Sequence, residues 1–145
     1  MKFSVSAYYT QTKDGIETTS FYHEDERTFV NFTLTGIDRQ YKGVEGAAQY
    51  TIVPGLIAEA GVSIGQFIHN SRPTATITQD NDGAILQENI IVYAKNFYVS
   101  GTPQRAYTAG LTYNSKNFWS VYLNVNRFEN NWIDFNPLRR TAQAV

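Results

Sequence analysis

The chain has no cysteine among its 145 residues. That excludes a disulfide framework, a thiolate metal site and a thiol nucleophile. Charged residues are also scarce, at 17% of the chain against about 25% in ordinary soluble domains. The 12 basic and 13 acidic residues give a net charge of -1, so the sequence does not offer the basic surface that a nucleic-acid partner requires.

Long hydrophobic runs are absent as well. The longest ones, such as GLIAEAGVSIG (residues 55–65), fall far short of the roughly 20 residues that a membrane-spanning helix needs. Aromatic side chains, in contrast, are abundant: they make up 14% of the chain, with ten Tyr and nine Phe. The length is that of one domain, and we expect residues 1–145 to form a single segment.

Strict alternation marks the segment RAYTAGLTYNSKNFWSVYLNVN, residues 105–126. Every second residue on one side is apolar, and the other side carries Thr, Ser, Asn and Gly with almost no charge. Period-two patterning of this kind predicts two strands of a hairpin. The apolar set is Tyr107, Ala109, Leu111, Tyr113, Trp119, Val121, Leu123 and Val125.

The same patterning predicts five long strands in an antiparallel meander. Tight turns join the second strand to the third at Val53-Pro54-Gly55 and the fourth to the fifth at residues 114–117. The other two connections are long, with about 20 and more than 30 residues, although residues 89–99 are a candidate extended segment. The predicted strands are Lys2 to about Thr12, Thr35–Ile52, Leu56 to about Ile68, Arg105–Asn114 and Asn117 to about Asn130.

Short turns at one end and long loops at the other are typical of outer-membrane barrels. Four of the predicted strands have the length of about 9 to 11 residues that crosses a bilayer, and aromatic residues lie near the short turns, as in a barrel girdle. The pattern therefore favours an all-β fold that is part of a transmembrane β-barrel, with short periplasmic turns and long extracellular loops. Its apolar face would contact lipid and its polar face a wet lumen.

Two other readings fit the alternation. In a self-contained soluble β-barrel or sandwich that binds a small apolar ligand, Val62, Leu111, Val121 and Leu123 would form the core. In a hydrolase, Glu45 and Glu59 would act as a carboxylate pair beside one tight turn.

Several motifs resemble the late barrel of TonB-dependent outer-membrane receptors, in the branch with a carboxypeptidase-like regulatory domain ahead of the plug. They are Gly101-Thr102-Pro103-Gln104, the turn from Tyr113 to Trp119, Phe128-Glu129-Asn130-Asn131, Asp134-Phe135-Asn136-Pro137 with Arg139-Arg140-Thr141, and upstream Thr35 to Arg39 with Lys42-Gly43-Val44-Glu45. The stretch SAYYTQTKDGIETTSFY, residues 6–22, is similar to the strand and extracellular loop just before these motifs, so the resemblance covers nearly the whole chain.

The resemblance implies a segment of a receptor that imports a scarce nutrient of the siderophore, glycan or peptide type across the outer membrane of a Gram-negative cell. The expected partners are outer-membrane lipid, the remaining barrel strands and the plug, with TonB engaged only through that plug. No plug, TonB box or terminal aromatic residue is recognisable, so we expect the chain to be a piece of a larger barrel.

No motif for a nucleophile or a phosphate loop is present, and we predict neither an enzyme nor a cofactor. His23-Glu24-Asp25-Glu26 and Asp80-Asn81-Asp82-Gly83 are better read as a solvated loop and an Asx-rich turn than as metal sites. Asp134 is expected to pair with Arg139 and Arg140 on the surface. The predicted ligand contacts are six aromatic residues of the long loops, Phe21, Tyr22, Phe29, Tyr93, Phe97 and Tyr98.

Overall fold

The computed structural model describes residues 1–24 and 27–142. These residues form seven β-strands and one short 3-10 helix, Pro137–Arg140. None of their helices is long and apolar enough to cross a membrane. The strands are β1 (Lys2–His23), β2 (Thr28–Val53), β3 (Leu56–His69), β4 (Thr74–Gln79), β5 (Ile85–Ile91), β6 (Pro103–Asn114) and β7 (Ser120–Asn131).

The strands form one open sheet in the order β5-β4-β2-β3-β6-β7, and β1 pairs with β2 outside this path. The register is antiparallel where β2 pairs with β4, β3 with β6, β4 with β5 and β6 with β7. The prediction of an all-β antiparallel fold is therefore confirmed. The five predicted strands correspond to β1, β2, β3, β6 and β7, which pair in that order as the meander predicts, whereas β4 and β5 were not predicted and pair beside β2.

The predicted end of the first strand and the predicted start of the second are wrong. β1 continues to His23 and β2 starts at Thr28, so most of the expected loop between them is strand. Charged and small polar residues in that stretch gave a loop-like composition, but Thr, Tyr and Phe alternate through it, and polar pairs hold the two strands together. Thr18 and Thr33 hydroxyls lie 3.1 Å apart, and Ser20 donates to Asn31 at 2.5 Å.

The long connection between β3 and β6 contains the two additional strands. β4 pairs with the first part of β2 from Val30↔Gln79 to Thr35↔Thr74, and β5 then pairs back on β4. The predicted extended segment, residues 89–99, overlaps only the end of β5. Both tight turns are confirmed, with Gly55 at a φ of 90°, although β7 begins at Ser120 rather than Asn117.

Two compact units divide the chain. Unit 1 contains Met1–Thr10, Tyr41–Phe67 and Ser100–Ile133, and unit 2 contains Gln11–Gln40, Ile68–Val99 and Asp134–Val145. Five strands contribute to unit 1, which is a single layer with one face of apolar side chains and one of mainly polar side chains, on which Phe67 packs against Tyr8 and Tyr41.

The apolar face of unit 1 follows from the strand registers. Val62 pairs with Tyr107 and Leu111 with Leu123, so these residues share a face, and a Cβ built at Gly46 would contact Val62 on the same face. Alternation assigns the rest. The apolar face comprises Phe3, Val5, Ala7, Tyr9, Val44, Gly46, Ala48, Tyr50, Ile52, Leu56, Ala58, Ala60, Val62, Ile64, Tyr107, Ala109, Leu111, Tyr113, Val121, Leu123 and Val125.

The polar face of unit 1 carries hydrogen-bonded side chains. Asn124 donates to the Thr108 hydroxyl at 3.0 Å, Asn126 donates to Asn124 at 2.5 Å, and Ser63 donates to Glu45 at 3.3 Å. These pairs satisfy polar groups along the strands without needing a second layer of protein.

Unit 2 has a hydrophobic core of its own. It is built mainly on the pairing of β2 with β4, and Phe21, Leu86, Ile90, Phe135 and Leu138 pack around it. The φ of 72° at Gly36 interrupts the alternation of β2, so the buried positions change from even to odd numbers after Leu34. The core residues are Val30, Phe32, Leu34, Ile37, Ala75, Ile77, Val92 and Ala94.

A close contact on the polar face provides a test of the register between β3 and β6. A Cβ at Gly61 would lie 2.8 Å from the Thr108 methyl group. We expect Gly61→Ala to lower the free energy of unfolding by about 1–3 kcal/mol. Adding Thr108→Ser, which removes that methyl group and keeps the hydroxyl, should restore most of the loss in a denaturant titration.

Gly46→Ala is the matched control, because a Cβ there meets Val62 only at an ordinary 3.5 Å. It should change the free energy of unfolding by much less. An equal loss in Gly61→Ala with and without Thr108→Ser would contradict the register.

Candidate functional site

The six predicted ligand contacts do not form one site. Phe21 packs on Phe32, with ring centroids 6.2 Å apart, whereas Tyr22 and Phe29 form an exposed edge-to-face pair at 5.4 Å. These residues all belong to the hairpin of β1 and β2. Ligand contact by this group stays a prediction.

The remaining three predicted contacts lie in the connection between β3 and β6. The Arg72 guanidinium lies 5.2 Å from the Tyr93 ring centroid. Phe97 packs against Phe135 at 5.7 Å and lies beneath the Arg140 guanidinium at 4.2 Å, a distance typical of cation–π contacts. Tyr98 is half-exposed and pairs with Ile68 in an isolated bridge. Phe97 is therefore a packing residue of unit 2.

A cavity of about 340 Å³ lies in unit 2 and includes one of the six, Phe21. Its volume is at the lower end of the range for small-molecule sites, about 300–1,000 Å³. Its lining combines apolar walls with carboxylate, imidazole, hydroxyl and amide groups. The lining residues are Glu17, Thr19, Phe21, Leu34, Ile37, His69, Asp134, Phe135, Asn136 and Pro137.

Local structure explains how these residues meet. Glu17, Thr19 and Phe21 occupy alternate positions of β1 and so share a face. Leu34 and Ile37 share a face of β2 because the positive φ of Gly36 shifts the alternation between them.

The C-terminal segment supplies the fourth wall. Asn136 accepts a hydrogen bond from the Leu138 backbone at 3.0 Å and so caps the 3-10 helix, with Pro137 in its first turn. The Tyr93 backbone donates to the Arg140 carbonyl at 2.8 Å, and Thr141 is buried. The segment is thereby fixed in unit 2.

His69 is the most enclosed polar residue of the cavity, with only 6% of its surface exposed. Its ring meets Phe135 edge-on at 5.7 Å. Two backbone hydrogen bonds fix its main chain. The His69 N–H donates to the Phe97 carbonyl and the His69 carbonyl accepts from the Asn96 backbone N–H, each at 2.8 Å. Among the described residues, none makes a hydrogen bond to its imidazole nitrogens.

Burial lowers the pKa of His69 below its ordinary value of 6.5, and the charge of Arg39 lowers it further. Glu17 and Asp134 act in the opposite direction. Glu17 also forms an ion pair with Arg39. The imidazole is therefore neutral near pH 7, with one nitrogen as a donor and the other as an acceptor.

Asp134 does not form the ion pairs expected from the sequence. Its carboxylate accepts the Phe135 backbone N–H at 3.0 Å, and no salt bridge joins it to Arg139 or Arg140 in the described part of the chain. Arg140 stacks on Phe97 instead. Arg139 is exposed.

Within residues 1–24 and 27–142, no group of three or more His, Asp and Glu side chains is arranged to hold a metal ion. Asp25 and Glu26 of the acidic stretch after His23 lie outside the described residues. Asp82 accepts the Ala84 backbone N–H at 2.9 Å and Asp80 accepts from Asn31 at 3.0 Å. The first of these bonds forms an Asx-type turn, as the sequence suggested, and the second joins that turn to β2.

The sequence analysis did not predict that His69, Asp134 and Asn136 line one cavity. His69 is the last residue of a strand, and the other two lie more than 60 positions later along the chain. The one signal in the sequence that pointed to this part of the C-terminal segment was the motif Asp134-Phe135-Asn136-Pro137.

The lowered pKa of His69 predicts an acid-sensitive fold. Because the unfolded chain takes up this proton before the folded one, the stabilisation is complete above about pH 6.5 and is lost as pH falls from there toward the lower folded pKa. We expect the free energy of unfolding to decrease over that window in denaturant titrations.

His69→Phe keeps an aromatic ring against Phe135 and should remove this component, whereas His23→Gln should retain it. Identical pH profiles for the wild-type chain and His69→Phe would show that the imidazole does not couple to folding.

Comparisons with protein-family models, curated proteins and solved structures found no match. The function of this chain is therefore argued from its own residues and geometry.

Proposed function

We propose that this chain is a section of the wall of an outer-membrane β-barrel, in a TonB-dependent receptor that imports a scarce nutrient. The observation that carries the proposal is the apolar face of unit 1. In a protein surrounded by water, such a face would be covered by a second layer, because each fully buried Val or Leu side chain contributes about 1.5–3 kcal/mol.

The side chains of this face are exposed. Val62, Leu111, Val121 and Leu123, which would be the core of a soluble sandwich, have exposed fractions of 38%, 43%, 56% and 62%. A contiguous exposed apolar surface of this extent is characteristic of an interaction with lipid or with another protein. Acyl chains match it because the face carries no charge.

The limits of the apolar face fit a bilayer. From Leu56 to Ile64 the paired register of β3 and β6 has about the 9 to 11 residues that a tilted membrane strand needs. At the tight-turn end, the rings of Tyr113 and Trp119 pack at a tilt with their centroids 5.3 Å apart, as expected for an interfacial girdle.

At the opposite end the same face becomes charged. Arg105 pairs across the strands with Glu129, with side-chain atoms 3.9 Å apart, and Arg127 lies 2.6 Å from the same carboxylate. Tyr107, directly opposite Arg127, marks the transition. Charged groups at the ends of an apolar band reach the aqueous boundary of a membrane.

The polar face supports a wet lumen. Its Thr, Ser, Asn and Glu side chains are hydrogen-bonded to one another and still exposed or half-buried, a composition that water accommodates and hydrocarbon does not. Glu45 and Glu59 both lie on this face. Ser63 donates to Glu45, so its carboxylate has a structural partner.

The open sheet supports a wall section rather than a closed barrel. In hydrocarbon, unpaired strand edges leave backbone groups unsatisfied, so neighbouring strands must complete the sheet. We propose that the remaining receptor strands pair with its edges and that a plug contacts the polar face. The receptor class rests on the motifs between Thr35 and Glu45 and from Gly101 to Thr141.

Two adjacent residues of β7 test the proposal. Leu123 and Tyr122 are almost equally exposed, at 62% and 60%, but lie on opposite faces. A Lys at the lipid-facing position near the bilayer centre costs about 2–4 kcal/mol, whereas a lumen position tolerates it. We expect Leu123→Lys to reduce association of the chain with lipid vesicles severalfold and Tyr122→Lys to change it little.

The measurement is the fraction of refolded chain that floats with the vesicles. Equal effects of the two substitutions would contradict the assignment of Leu123 to the lipid-facing side and Tyr122 to the lumen side. A chain that is monomeric and cooperatively folded without lipid or detergent would rule out the membrane role itself.

A further inference from the structure

The cavity between Glu17, His69 and Asp134 in unit 2 has the chemistry of a binding site. Its most enclosed polar side chain is His69, which is more than nine-tenths buried. Both imidazole nitrogens lack a hydrogen-bond partner among the described residues although the ring lines the cavity. These nitrogens are not among the fully buried atoms without a partner, so they are open to the cavity, where a ligand or water can satisfy them.

The charged side chains that line the cavity favour a positively charged ligand. Two of the described lining residues, Glu17 and Asp134, are acidic, and none is Lys or Arg. Arg39 compensates Glu17. Asp134 has no such cation in the described part of the chain. The neutral imidazole of His69 in the same cavity adds an acceptor, so the polar end of the cavity is suited to a donor that carries positive charge.

The apolar residues of the lining favour a ligand with an alkyl or aryl group. Phe21, Leu34, Ile37 and Phe135 are apolar walls, and aromatic rings attract a cation as well as an alkyl or aryl group. The volume of about 340 Å³ accommodates a molecule with one small ring and a short side chain.

We propose that this cavity binds a small organic amine, whose ammonium group donates to the Asp134 carboxylate and to an imidazole nitrogen of His69 while its apolar body lies against Phe135 and Ile37. This inference concerns ligand binding by unit 2 and is independent of the membrane role proposed for unit 1.

Calorimetric titration of the full chain, folded in detergent micelles, tests the proposal with phenethylamine as the probe. Phenethyl alcohol and hydrocinnamate have the same aryl body with a neutral or an anionic end. We expect saturable binding of phenethylamine and at least about tenfold weaker binding of the other two, the difference that a charge-assisted hydrogen bond makes.

Asp134→Asn removes the charge at an exposed position with little change in shape, and we expect it to weaken phenethylamine binding by about tenfold or more. Glu88→Gln removes one negative charge from an exposed position of β5, outside the lining of the cavity, and should leave binding unchanged. His69→Phe keeps the ring packing and should also weaken binding, provided that circular dichroism shows the strand content of the wild type.

Three results would overturn the inference: no saturable binding of phenethylamine, equal affinity for phenethyl alcohol, or equal effects of Asp134→Asn and Glu88→Gln. If His69→Phe does not fold, the comparison of Asp134→Asn with Glu88→Gln still tests whether the cavity binds the amine. A chain that fails to associate with vesicles but binds the amine in the expected order would reject only the membrane role.

Discussion

A sheet of one layer has no interior, so each of its faces must suit whatever touches it. Unit 1 meets this constraint with two opposite solutions. Leu111 and Leu123 stand side by side on one face without any protein over them, while Thr108 and Asn124 hydrogen-bond on the other. The proposed location between lipid and a wet lumen follows from that contrast, because water on both sides would leave the apolar face unsatisfied.

Unit 2 solves the same problem differently. Its part of β2 buries Val30, Phe32 and Leu34 in a core, which is the usual arrangement of a protein in water. The residues that the sequence assigned to long loops lie largely in this unit and are ordered by strand pairing and a capped 3-10 helix. Such packed segments can hold a cavity of fixed shape, which a loop of unpaired residues cannot do without a large entropic cost.

The sequence predicted unit 1 better than unit 2, for a physical reason. In residues 105–126, alternation is a local property, so it identified both strands, their turn and the shared face of Leu111 and Leu123. In residues 13–34, charged and polar residues such as Asp14 and Glu17 resembled a loop. The pairing that orders them there comes from partners up to about 50 residues away, as between Val30 and Gln79. The change of face at Gly36 depends on a single φ angle, which composition does not encode.

The cavity was beyond sequence reasoning because its polar residues come from separate parts of the chain. Glu17, His69 and Asp134 belong to β1, the end of β3 and the C-terminal segment, and no periodicity connects them. The expected pairing of Asp134 with Arg139 and Arg140 relied on closeness along the chain. In the structure Arg140 stacks on Phe97 instead, which leaves the carboxylate for the cavity.

Because the chain has no cysteine, single cysteines introduced from Ser120 to Asn126 can each carry a nitroxide label without background. The most direct measurement is their electron-paramagnetic-resonance accessibility to dissolved oxygen and to a water-soluble nickel chelate, with the chain folded in lipid or detergent. The account predicts oxygen maxima at Val121, Leu123 and Val125 and nickel maxima at the residues between them. Odd-numbered labels that are shielded from both reagents would place that face in a closed protein interior and contradict it.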